Sequence, residues 1–201
     1  MSDQKRPADV YEDSGARLPL PNREDLDGAA LKIFDKLMDP KGGSLVGLKG
    51  PGGLRLHSPR AAEAAQPLNA YFRSGEPFDG QILEITILIT ARELNNRFEW
   101  AAHERSARNV GISQDVIDIV KYRKPLDGAS DSQAAIIQFG RELFRDWKVT
   151  PETFATARNL FGDRQLVDIV SLMGQYAATA VLLTSFDIQL HDGEENILPL
   201  P

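Results

Sequence analysis

The 201-residue sequence contains no cysteine, which removes disulfides, thiolate metal ligands, iron–sulfur clusters, peroxidatic thiols and cysteine nucleophiles together. It also lacks an excess of basic charge. Its 23 Lys and Arg face 29 Asp and Glu, a formal charge of −6, and such a chain offers no field that attracts a phosphate backbone. Nucleic acid is not expected as a partner; a small organic molecule or a protein is. No stretch reaches the roughly 20 uninterrupted apolar residues of a membrane-spanning helix, so no membrane association is expected. The opening segment MSDQKRPADVYEDSGARLPLPNRED is polar and proline-punctuated, without the apolar core of a secretory signal or anchor, and a cytoplasmic location is expected. What is present is ordinary globular usage, 42% hydrophobic and 26% charged, which supports a real core, and one domain is the default at this length.

Pro7, Pro19 and Pro21 bias residues 1–23 away from helix, and they read as an extended arm that wraps a surface or a neighbouring subunit. A single helical domain is expected over 24–186, followed by an acidic, proline-ended tail over 187–201. Leu26, Ala29, Ala30, Ile33, Phe34 and Leu37 recur at three and four, the stripe of an amphipathic helix from Asp25 to Met38. Gly42, Gly43, Gly47, Gly50, Gly52 and Gly53 with Pro51 predict a loop of about twenty residues, long for a compact domain. Ser58-Pro59 opens a helix to about Arg73, and Asp79 opens one to Leu94 that is apolar on most sides. The Asn95-Asn96 pair interrupts the pattern before a helix from about Arg97 to Val110, stopped at Gly111. Ser113 to Tyr122, Asp131 to Trp147, Pro151 to Leu160 and Asp163 to Phe186 complete the helices. With no alternating strand pattern and no repeat, the chain reads as all-α with six to eight helices. The apolar helix from Ile82 to Leu94 is expected to be covered by another subunit.

Asn96, Glu99 and His103 stand three and four apart, within about 60° of one another around a helix, so they can touch one substrate together. The first turn of that helix offers unpaired N–H groups that favour an anion such as an organic carboxylate. Glu84 lies in the very apolar preceding helix, where a carboxyl is a candidate proton donor or relay. Glu99 and His103 equally suit an exposed i,i+4 pair, and Glu84 could merely complement a helix dipole.

The stretch from Glu84 through Asn95-Asn96-Arg97-Phe98-Glu99-Trp100-Ala101-Ala102-His103 to Gly111 resembles the carboxymuconolactone decarboxylase family, which includes the alkylhydroperoxidase D proteins. Leu18-Pro19, the loop leading to His57-Ser58-Pro59, and the closing helix with Phe186 extend the likeness over most of the chain. The resemblance implies an all-helical fold assembled as a homo-oligomer, trimeric or hexameric with a dimer also open, and a site near a subunit boundary. It places the family's proton-relay glutamate on Glu84 and its histidine on His103. The two cysteines of the peroxidase branch fall on Asn96 and Glu99, so thiol-dependent peroxide reduction is not expected. The glutamate-tryptophan-x-x-histidine form resembles the lactone decarboxylase branch, which implies a lyase or isomerase acting without a cofactor on a small carboxylate-bearing lactone or enolisable acid. His103 would be the general acid/base, Glu99 would orient it, and Glu84 would be a second acid or relay. Asn96, Trp100 and Arg97 would bind substrate. The alternative is a non-catalytic oligomeric scaffold or binding protein of the same fold.

Gly42-x4-Gly47-Leu48-Lys49 approaches the phosphate-loop pattern, but its lysine is displaced by one, no Ser or Thr follows and no strand precedes. It reads as a lid or packing loop. His57 could reach the site but better suits a capping role. His191 lies among Asp187, Asp192, Glu194 and Glu195 without a recognised ligand spacing, so no metal is expected. Lys121-Tyr-Arg-Lys124 complements a helix end, and Tyr176 could supply a hydroxyl to a buried site.

Overall fold

The computed structural model describes residues 6–41 and 44–199. Among these there is no strand. A 3-10 turn at Arg23–Asp25 precedes α1 Gly28–Met38, α2 Pro51–Arg55, α3 Pro59–Arg73, α4 Gly80–Glu93, α5 Arg97–Asn109, α6 Gln114–Lys121, α7 Asp131–Asp146 and α8 Pro151–Ser185. The all-α reading and its helix count hold.

Local chemistry sets most boundaries. The Asp79 carboxylate accepts the Ile82 N–H at the start of α4, and Ser113 accepts the Val116 N–H at the start of α6. Ser130 and Gln133 form a capping box at the start of α7, satisfying orphan donors of the first turn. Between α4 and α5, Asn95 adopts φ 53°, a left-handed conformation that asparagine tolerates better than most residues. Gly162, at φ 70° and ψ 172°, breaks α8 where the sequence shows a gap between two helices, and the chain continues across it as a kink.

One expectation needs correction in this part of the chain. The segment from Gly42 to Gly53 is not wholly a loop, because α2 begins at Pro51, the favoured first helical position. Gly42 and Gly43 themselves lie outside the described residues. A Cβ at Gly53 would overlap the Leu48 carbonyl and come within 2.9 Å of Leu20, so that glycine serves close packing. The described part of the arm packs on its own chain. The Arg17 N–H donates to the Phe186 carbonyl at 2.9 Å and the Gln189 N–H to the Gly15 carbonyl at 2.8 Å, leaving Ala16 fully buried.

Contacts divide the chain into two compact units, Met1–Leu68 with Val181–Glu195, and Asn69–Ala180 with Asn196–Pro201. In the first, His57 Nε2–H donates to the Pro19 carbonyl and His191 Nε2–H to the Lys49 carbonyl, each at 2.9 Å. Both histidines act as fasteners.

In the second unit, α4 is the central helix, packed mainly on α7 and α5. Every residue from Glu84 to Glu93 is buried within the single chain, which overturns the expectation that another subunit must cover this helix. Gly140 on α7 permits the close approach: a Cβ there would stand 2.7 Å from Ile89 Cγ1. At the end of α4, Glu93 accepts from both Arg145 Nε and Nη2 at 2.7 Å and pairs with Arg123 at 3.2 Å. Burial pushes the Glu93 carboxyl up, but these arginines outweigh it and hold it below the ordinary carboxylate range. By length and composition α8 could cross a membrane, with a window of mean hydropathy 1.6 that a search for uninterrupted apolar runs passes over. Its Leu166, Ile169, Leu172 and Met173 belong to the core.

Candidate functional site

The turn at Asn95-Asn96 folds α5 back along α4 and brings Glu84 opposite His103. His103 Nδ1–H donates to Glu84 Oε2 at 2.7 Å, a charge-assisted length; the tautomer is assigned from this contact. The opposite ring nitrogen, Nε2, stands 3.5 Å from Glu99 Oε2, too long for a good hydrogen bond. Glu84, Glu99 and His103 are 4%, 5% and 3% exposed. Three ionisable groups in one buried cluster are unusual, since burial of a charge is costly unless it is paired. The three residues named as catalytic from the sequence are therefore brought together, but the tight partner of the imidazole is Glu84 and the loose one is Glu99.

The three residues expected to bind substrate are placed differently. Asn96 is the cap of α5: its Oδ1 accepts the Glu99 N–H at 2.9 Å and its Nδ2 donates to the Ala180 carbonyl at 3.2 Å. The Trp100 ring is fully buried in the core, and its Nε1–H donates to Glu104 Oε2 at 3.0 Å. It lies about 100° around the helix from Glu99, and its polar contact is to Glu104 rather than to Glu84, Glu99 or His103. Arg97 is exposed. Neither Trp100 nor Arg97 forms a hydrogen bond or ion pair with Glu84, Glu99 or His103.

Two other residues are. Tyr176 of α8 meets the His103 ring edge-on, with centroids 5.2 Å apart at 86°, and Arg73 Nη2 at the end of α3 donates to the Tyr176 hydroxyl. Burial, with Glu99 and Glu84 nearby, pushes the Tyr176 hydroxyl above its ordinary value despite Arg73, so it stays a neutral phenol. The sequence points to Tyr176 by its place on an apolar helix, whereas no spacing connects Arg73 to it across 103 residues. The contacts Asn96 to Ala180 and His103 to Tyr176 run in opposite senses along α5 and α8, so these segments are antiparallel.

Among the described residues no group of three or more His, Asp or Glu side chains is placed to hold a metal ion. An apolar cleft of about 360 Å³ is lined by Phe139, Phe154, Leu166, Val167 and Val170 together with Asp163 and Ser171. It includes none of the cluster residues and offers few polar groups to orient a reactant.

No family model and no curated protein matches the chain. Two solved structures share its fold at 18% sequence identity. One is the alkylhydroperoxidase AhpD core of an uncharacterized peroxidase-related protein from Ralstonia eutropha JMP134, with a TM-score of 0.69 over 88% of this chain and 93% of that one. The other is a protein of unknown function from Agrobacterium tumefaciens, provisionally named an antioxidant defence protein AhpD, with a TM-score of 0.61 over 68% of this chain and 94% of that one. The helix order, the paired α4 and α5 and these two likenesses together give the chain the alkylhydroperoxidase D-like fold.

Proposed function

We propose that the chain is a cofactor-independent acid–base catalyst of the carboxymuconolactone decarboxylase type, a lyase or isomerase for a small carboxylate-bearing lactone or enolisable acid. The observation that carries this reading is the His103 ring set between Glu84 at 2.7 Å and Glu99 at 3.5 Å in a buried cluster. Glu84 holds Nδ1, fixes the ring and leaves Nε2 as the nitrogen that moves a proton. When the ring carries both protons, each N–H faces a carboxylate, so the cation is stabilised where it forms. In decarboxylation the bond to the departing carboxylate breaks, its electron pair enters an extended enolate, carbon dioxide leaves, and Nε2–H protonates carbon. Solvent then restores the proton. In isomerisation Nε2 removes a proton from one carbon and returns it to another.

The peroxidase-related names of the structural neighbours do not carry a thiol mechanism to this chain, which has no cysteine. Homo-oligomerisation, as a trimer or hexamer, belongs to the same proposal. A second reading, a non-catalytic scaffold or binding protein, is favoured by one observation: the cluster is nearly closed to solvent in the single chain.

The test is turnover of a panel of carboxylated butenolides followed by proton NMR, for the wild-type chain and for His103→Ala shown folded by circular dichroism. Turnover lost with His103 supports the enzyme. A panel with no product, or turnover that survives His103→Ala, removes it.

A further inference from the structure

We infer that Arg73 and Tyr176 form the anion-binding end of the His103 site, where an organic carboxylate is held by the guanidinium and the phenolic hydroxyl. This rests on the reading of the cluster as a site for a carboxylate-bearing substrate, and names which residues hold that group in place of Asn96, Trp100 and Arg97.

The argument begins with charge. The cluster places two carboxylates, Glu84 and Glu99, on one imidazole, and an anionic substrate approaching it meets net repulsion unless a cation stands close by. Arg73 is the cation that the structure supplies. Its guanidinium reaches the Tyr176 hydroxyl, which lies on the ring packed edge-on to His103. Arg73 also forms no ion pair with any carboxylate among the described residues, while Arg17, Arg23, Arg123, Arg145, Arg158 and Arg164 each do. A guanidinium is a planar five-donor fork suited to a carboxylate, and one spent on a single phenol oxygen keeps most of its donors.

Geometry adds direction. Arg73 is exposed, Tyr176 is 7% exposed and His103 is 3% exposed, so exposure falls stepwise from the guanidinium through the phenol to the imidazole. Tyr176 accepts from Arg73, which leaves its own O–H free to donate to the same carboxylate. At this corner of α3 and α8, Gln175 donates through Nε2 to Asn69, one turn before Arg73, and its Oε1 is buried without a partner. Buried acceptors without partners are rare in folded chains, and this one suits a ligand hydroxyl or a water carried with it. The bland reading, in which Arg73 only complements the C-terminal end of α3 and satisfies a buried phenol, requires neither an unpaired guanidinium nor ligand binding.

The experiment titrates the full chain with 2-furoate, a carboxylate on an unsaturated five-membered ring, with acetate as a probe free of shape demands, and with 2-furamide as the uncharged control. Shifts of the His103 imidazole signals are followed by NMR. Furoate and acetate should move these signals at millimolar concentrations and furamide should not. Arg73→Gln should weaken furoate about tenfold or more, the scale of a charge-assisted hydrogen bond. Arg73→Lys should restore part of the affinity, and Tyr176→Phe should cost less than Arg73→Gln. Circular dichroism confirms that each variant is folded. Equal binding of furoate and furamide, wild-type affinity in Arg73→Gln, or no effect of either carboxylate on His103 overturns the assignment. Arg73-dependent binding without turnover of any lactone leaves the subsite standing and removes the catalytic reading. Turnover that depends on His103 but has an unchanged KM in Arg73→Gln does the reverse.

Discussion

Replacing Glu84 by glutamine keeps the size of the side chain and removes the charge that receives the proton of His103 Nδ1 at 2.7 Å. Replacing Glu99 by glutamine removes a charge 3.5 Å from Nε2. Contact length therefore ranks the two variants. On an established substrate His103→Ala should lower kcat about a hundredfold or more, the usual scale for a general acid/base; Glu84→Gln should follow it closely and Glu99→Gln should lose least. Steady-state kinetics on folded variants checks the order, and a greater loss in Glu99→Gln than in Glu84→Gln contradicts it. At this scale the sequence was informative about identity and poor about orientation. The four-residue spacing places Glu99 beside His103, and the likeness to a known family places Glu84 there. Which ring nitrogen each carboxylate faces depends on the turn at Asn95, whose φ of 53° no periodicity specifies. Trp100 lies one residue from Glu99 in sequence, but adjacency along a helix is not adjacency in space: its ring is buried in the core and its N–H donates to Glu104. No spacing points to Arg73, whose partner Tyr176 is remote in sequence.

At the scale of elements, α4 is tied at its end by charge and along its length by close packing. Glu93→Gln leaves Arg145 and Arg123 without their carboxylate. Loss of one partner of a buried pair costs roughly 3–5 kcal/mol, reduced to about 1–3 kcal/mol here because both arginines are partly exposed. The sign with pH follows from the depressed folded-state value of Glu93. Its contribution is full above the unfolded carboxyl value of about 4.3, and fades as pH falls through the lower folded value. The gap in urea stability between wild type and Glu93→Gln should thus be constant near neutrality and close in acid. Gly140→Ala sets helix propensity against the Ile89 side chain 2.7 Å from the new methyl. Because Ile89 is fully buried it cannot move aside, and overpacking should win by about 1–2 kcal/mol, read as a lower midpoint of unfolding. Capping residues such as Asp79 and Ser113 make the starts of α4 and α6 readable, since caps act locally; the capping box of Ser130 and Gln133 at the start of α7 emerges only in the structure. The short α2 was hidden by its own glycines, which suit a loop by propensity and are used here for packing at Gly53.

At the scale of the whole molecule, helical periodicity in nearly every segment made the fold class readable, because 3.6-residue spacing needs no knowledge of partners. Helix coverage was not readable in the same way: an apolar α4 fits burial by another subunit or by its own chain, and α7 and α5 supply the cover. Composition yields one further expectation. With no cysteine, the chain should show no thiol-dependent turnover of an organic hydroperoxide with a dithiol reductant; activity abolished by His103→Ala in folded protein would contradict this. The central claim is that the buried Glu84–His103–Glu99 cluster moves protons to and from carbon. Its most direct test is exchange of the acidic carbon-bound hydrogen of a carboxylated butenolide in deuterium oxide, followed by proton NMR. The wild-type chain should accelerate exchange, with a loss of about a hundredfold in His103→Ala; no acceleration across the panel, or exchange undiminished by His103→Ala, would contradict it.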